Sequence, residues 1–234
     1  MMLVATGLAV ALASVFPSEA APASLPPVIV TVVEAPGVPA AIVTQLLAEA
    51  ADIWHAAGVA FLWERAAGRS GVPDPRTPDS GPAMPSRLRV IVGNDKGLPL
   101  DHRTPLGWIV FEGEHAPLPE IYLSHKNAAW LLAASRTVVG IVEQMPLMRR
   151  EQLVGRAMGR ALAHELGHYL LASKVHTKRG VLKASRTAGE LFAQSRGAFS
   201  VDRWQRHTIA ARLTGEPAVA RWEKPSFKAP RKEW

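Results

Sequence analysis

The chain has 234 residues, 48% of them hydrophobic, a formal net charge of +7 and no cysteine. That length supports a domain with a substantial core. The lack of cysteine excludes disulfides, thiolate metal ligands and a cysteine nucleophile, so any metal must be held by His, Asp or Glu. The basic residues are scattered and not interleaved with aromatics, so no nucleic-acid platform is expected despite the charge.

The first 16 residues are uncharged and mostly apolar. Small residues follow at Ser18 and Ala20, as at a secretory cleavage site, so residues 1–20 are expected to be an export signal and the mature chain to be secreted or periplasmic. No Lys or Arg precedes the apolar run, which leaves an uncleaved anchor as the alternative. No other stretch is long and apolar enough to span a bilayer.

Residues 28–33, which follow Pro26-Pro27, are β-branched throughout and read as a strand buried on both faces. After the Pro36-Gly37 turn, Ile42, Leu46, Ala50, Ile53 and Trp54 form one helical stripe within residues 38–57, and Gly58 stands where a helix ends. Residues 59–63 read as a second strand, parallel to the first across this helix. Residues 68–86, crowded with Pro, Gly, Asp and Ser, read as a mobile surface loop. Strands are expected at 87–92, 106–111 and 120–124. The first of these runs leads into the Gly93-Asn94-Asp95 turn. Residues 127–136 read as a short helix or a loop with one turn.

A long helix is expected from about Met148 to Ala172, entered after Pro146. Its apolar residues spread around most of its circumference, which marks a buried helix. A short segment at 184–194, a last helix at 201–213 and a basic tail at 216–234 complete the chain, with residues 27–215 as the folded domain. The expected fold is α+β, with an α/β-type N-terminal half. A twisted, mostly parallel sheet of about five strands packs on two long helices, with a small helical C-terminal part.

The buried helix carries His164-Glu165-Leu166-Gly167-His168, an HExxH motif. Residues four apart on a helix project from one face, so His164 and His168 can direct two imidazole nitrogens to one metal ion, for which zinc is the expected choice. Glu165, offset to the side, can act as a general base instead of a ligand. An apolar helix is a poor place for two histidines that hold nothing.

A catalytic zinc takes three protein ligands and an open position. His176, separated from the motif by seven residues, is the first candidate for the third. Glu190 is the second, although Thr187 and Glu190 also have the spacing of a helix capping box. Asp202 suits a capping role at the last helix, and His207 a place on that helix. His55, His102, His115 and His125 precede the motif without ligand spacing.

The motif and the element order resemble the zincin metallopeptidases, specifically their metzincin-like branch. The resemblance covers residues 28–213 in outline and 164–182 in motif. The family's pattern continues as HExxHxxGxxH, followed by a methionine turn beneath the metal. Here Leu171 stands at the glycine position and His176 comes two residues late. Without glycine the helix does not bend sharply there, and a longer spacer makes the return. Leu182 stands where the turn's methionine would be. The resemblance implies a zinc endopeptidase acting on a peptide or protein substrate, with a monomeric catalytic domain. A catalytically inactive metal- or peptide-binding module, or a zinc hydrolase of a non-peptide amide, are the alternatives.

Overall fold

The computed structural model describes residues 25–66, 87–93 and 105–216. The expected signal at 1–20, the loop at 68–86, His102, Asn94, Asp95 and the tail from 217 onward lie outside them.

Five strands form one sheet: β1 (Val28–Glu34), β2 (Phe61–Arg65), β3 (Leu88–Gly93), β4 (Gly107–Phe111) and β5 (Pro117–Ser124). Their spatial order is β2-β1-β3-β5-β4. All neighbours pair in parallel except β4, which runs antiparallel to β5 and forms an edge. The helices are α1 (Ala40–His55), α2 (His125–Ala134), α3 (Arg136–Val139), α4 (Leu147–Leu171), α5 (Ala188–Phe192) and α6 (Arg203–Thr214). This is the expected mixed α/β architecture: a mostly parallel sheet, two long helices and a small helical C-terminal part.

Alternation along the strands fixes the core face. Val30 and Val32 of β1, Leu88, Val90 and Val92 of β3, and Ile121 and Leu123 of β5 are buried in one cluster with α1 and α4. The expectation that β1 is buried on both faces needs correction, because Ile29, Thr31 and Val33 are only half-buried. One face of the strand meets the helices, and the other lacks an equally close cover.

Two strand boundaries also differ from expectation. The second strand begins at Phe61 and not at 59, because Val59 is spent on ending α1. Gly58, at φ 82°, turns the chain, and the Val59 N–H donates back to Trp54 O at 3.1 Å. The fifth strand begins at Pro117, three residues early. Pairing of β5 with β3 starts only at Glu120, while Phe111 of β4 already faces Pro117. The two prolines thus sit where the strand is paired on one side, and there a missing N–H costs little.

Ser124 ends β5 and caps α2 in the same step, accepting from the Asn127 N–H at 3.1 Å. The Asn127 side chain donates to Pro105 O at 2.9 Å and so ties down the entry to β4.

The crossing of α1 and α4 is close because two glycines of α4 face α1. A Cβ on Gly159 would lie 2.6 Å from the Leu46 carbonyl oxygen, and one on Gly155 would lie 2.6 Å from Gln45 Cβ. Trp54 of α1 adds a buried hydrogen bond from its indole N–H to Ala163 O at 3.1 Å. From Leu153 to its end, α4 is buried nearly all round, as its sequence implied.

Candidate metal centre

His164 and His168 occupy adjacent turns of α4, and the segment after the helix brings His176 back beside them. One ring nitrogen from each of the three lies within 4.8 Å of the others. Ring centroids are separated by 4.6 Å (His164–His168), 5.2 Å (His164–His176) and 4.8 Å (His168–His176). His168 is buried, His164 half-buried and His176 exposed, so the cluster opens to solvent on one side.

The return from α4 to His176 uses no glycine. Ala172 takes the left-handed conformation (φ 44°, ψ 49°), and the Ser173 N–H donates back to His168 O at 3.2 Å. Beyond His176, the Thr177 N–H donates to Leu182 O at 2.9 Å, with Gly180 at positive φ between them. A Cβ on Gly180 would meet the Ser200 carbonyl oxygen at 2.6 Å. The Val181 N–H donates to that same oxygen at 2.9 Å, so residues 177–183 form a small turn pinned to the chain before α6. Leu182 is buried, and its side chain would contact a Cβ on Gly167 at 2.8 Å. It therefore forms an apolar floor against the helix between His164 and His168.

This turn also fixes the imidazole tautomers. His164 Nδ1 lies 2.9 Å from Val181 O, and His168 Nδ1 lies 2.6 Å from Ser173 O. A carbonyl oxygen only accepts, so each Nδ1 carries the proton and donates. Each Nε2 of the neutral rings is then a bare lone pair, and these two atoms face each other at 3.0 Å. Two lone pairs cannot hydrogen-bond to one another, whereas a cation shared between them satisfies both. Burial also favours the neutral, ligating form. It pushes His164 down to about 4, with His168 as a further cause and the Val181 carbonyl opposing. His168 is lowered for the same first reason. The three histidines could therefore hold a metal ion, and the donor set fits one.

Glu165 points off the line of the histidines toward β4. It is buried, and burial pushes its carboxyl up to about 8, against a backbone N–H of Ile109 that favours the anion. A divalent charge at the histidines acts in the anion's favour too. Gly107, at the start of β4, approaches closely: a Cβ there would lie 2.7 Å from Leu123 Cδ2 and 3.5 Å from Glu165 Cγ.

Glu190, the second candidate ligand, is not brought to the cluster. Its carboxylate completes the capping box with Thr187. It also accepts from Lys183 Nζ at 2.8 and 2.9 Å and pairs with Arg186 at 3.3 Å. The Lys183 hydrogen bond, with the Thr187 N–H, holds the carboxyl down at about 2. Asp202 caps α6 through a box with Gln205, as expected. His207 and His55 are exposed, and His125 is half-buried at the start of α2. His115, on the β4–β5 turn, reaches Ala172 O at 3.1 Å and so braces the corner after α4.

The residues that hold this segment in place belong to no motif in the sequence. Arg160 lies one turn before His164 on α4 and is fully buried. Its Nε donates to Glu49 at 2.8 Å, and its other nitrogens donate to Glu190 O and Ser195 O. Arg196 closes the network on Glu49 and Asp52. The spacing of Arg160 to His164 was a visible signal. The carbonyls of Val181 and Ser173 and the N–H of Ile109 were not, because every residue type offers the same backbone groups. No protein-family model and no curated protein matches the chain.

Proposed function

We propose that this chain is a zinc-dependent hydrolase of the metzincin-like kind, acting as an endopeptidase. One observation carries the reading: the Nε2 lone pairs of His164 and His168 converge at 3.0 Å while both Nδ1 atoms are committed to carbonyls. Three imidazoles with no thiolate suit zinc, and a solvent-open side leaves room for water and substrate. Zinc held there supplies Lewis acidity, readying a water and polarising a carbonyl near neutral pH.

The chain's own residues supply the remainder. Glu165 takes the proton of the attacking water and delivers it to the leaving amine. The Ile109 N–H holds its carboxylate at β4, beside cavities that His164 and His176 also line. Among the described residues β4 pairs only with β5, so its outer edge is free to align an extended peptide by β-addition. Cavities of about 540 and about 310 Å³ flank the cluster, sharing His164, Glu165 and His176. A cleft that continues on both sides suits cleavage within a chain. Export belongs to the same proposal and rests on residues 1–20 alone.

Elemental analysis of the purified chain, beside His176→Ala and Glu190→Ala, tests the site. The expected result is stoichiometric zinc in the parent and in Glu190→Ala, lost in His176→Ala, with hydrolysis of unstructured protein by the zinc-loaded parent. A chain that binds peptides and zinc without cleaving them is a binding module. Cleavage confined to non-peptide amides moves the enzyme to another substrate class. A parent that takes up no metal removes the proposal.

A further inference from the structure

The larger cavity beside the cluster is lined by both apolar and cationic side chains. Leu131, Leu191 and Phe199 are among its apolar lining residues. Lys183 and Arg186 line it as well, and among the described residues its only lining carboxylate is Glu165. Its size, about 540 Å³, is that of a pocket for a small group and not of a surface dimple.

The charges around this cavity do not cancel. Arg160, though it touches the cavity, is matched by Glu49, which it meets at 2.8 Å with both side chains buried. Lys183 and Arg186 share a single carboxylate, that of Glu190. Two cations on one anion leave the Lys183, Arg186 and Glu190 group with one positive charge in surplus. The Arg186 guanidinium is fixed over the Phe199 ring at 4.1 Å and donates to Ala198 O at 3.0 Å. It therefore contributes a fixed charge. The ammonium of Lys183 spends two contacts on Glu190 and, with three donors, retains one for a ligand.

We infer that this cavity receives an acidic substrate side chain beside the cleaved bond, with its methylenes on the apolar wall and its carboxylate at Lys183. Glutamate fits better than aspartate, because the apolar wall rewards a longer stem. Glu190 is then an internal competitor for the same cations. This specificity rests on the peptidase reading, but it concerns binding and can be measured without turnover.

The test uses the full chain carrying Glu165→Gln, loaded with zinc, and two blocked alanine-based peptides that differ only in a central Glu or Gln. Titration calorimetry at low and high salt gives both affinities. One charge-assisted contact corresponds to a preference for the glutamyl peptide of about five- to tenfold at low salt, shrinking as salt rises. Lys183→Met should erase the preference. Glu190→Gln should enlarge it at least about threefold, since glutamine still serves the capping box while the competing charge is gone. Equal affinities for the two peptides, failure of the glutamyl peptide to bind, or a preference unmoved by Glu190→Gln overturns the inference. Charge preference without hydrolysis by the parent would instead sink the peptidase reading and leave the cavity as a binding site for an acidic side chain. Hydrolysis without charge preference would do the reverse.

Discussion

His164 and His168 are each held from behind by a carbonyl, and that fixes what their front nitrogens can do. Glu165 is held differently, by burial and a single N–H from β4. The two kinds of restraint predict separable losses. Glu165→Gln should keep its zinc, since no ligand changes, while peptide hydrolysis falls by about 10²–10⁴-fold, the usual range for losing a general base. Metal analysis and initial rates on one preparation check this; undiminished hydrolysis would remove Glu165 from the chemistry. The histidines also set a pH dependence for the metal-free chain. Folding lowers His164 from 6.5 to about 4, so between those values the unfolded chain binds more protons than the folded one. Stability then rises with pH across that window and is lost as pH falls through it. His168 acts in the same direction. Thermal unfolding of the chelated chain should show Tm dropping as pH is lowered from 6.5 toward 4, and His164→Gln should flatten the drop.

At the scale of elements, the end of α4 is where this chain departs most from the pattern it resembles. The left-handed residue is Ala172, a side chain in a conformation that favours glycine. Ala172→Gly should therefore stabilise the fold by about 0.5–1 kcal/mol in denaturant unfolding, with zinc content unchanged. A loss of stability would mean that the corner depends on the Ala172 methyl. The opposite case is Gly159, where a Cβ meets the α1 backbone. Gly159→Ala should cost about 1–3 kcal/mol, because α1 must move off α4. Helix existence and the placing of His164 and His168 on one helix face were legible in the sequence, since each rests on side-chain periodicity; the alternating core face of β1 was not, because six consecutive β-branched residues show no polar alternation. His176 was legible as a candidate because an imidazole lay within reach of a helix end. The start of β5 was not, because Pro117 and Pro119 read as loop until their one-sided pairing with β4 is known. Nor was the close crossing at Gly155 and Gly159, whose meaning depends on which helix lies opposite.

For the molecule as a whole, the fold divides into a part that does not need the metal and a part that would gain from it. The sheet, α1 and α4 share one buried cluster, joined by the glycine crossing and the Arg160–Glu49 pair. Residues 173–183 have no comparable core. Only Val181 and Leu182 are fully buried there, and the rest is held by a few backbone hydrogen bonds and the contacts of His164 and His168. A cation joining His176 to the two helical histidines would bind this segment to α4 and stabilise the folded chain by mass action. Hydrogen exchange with and without chelator should then show faster exchange at the amides of Ser173, Thr177 and Lys183 once metal is removed. Amides of β1, β3 and the middle of α4 should be unchanged, because local opening draws on the least buried unit first. Uniform acceleration across the sheet would instead mean that the metal supports the whole core.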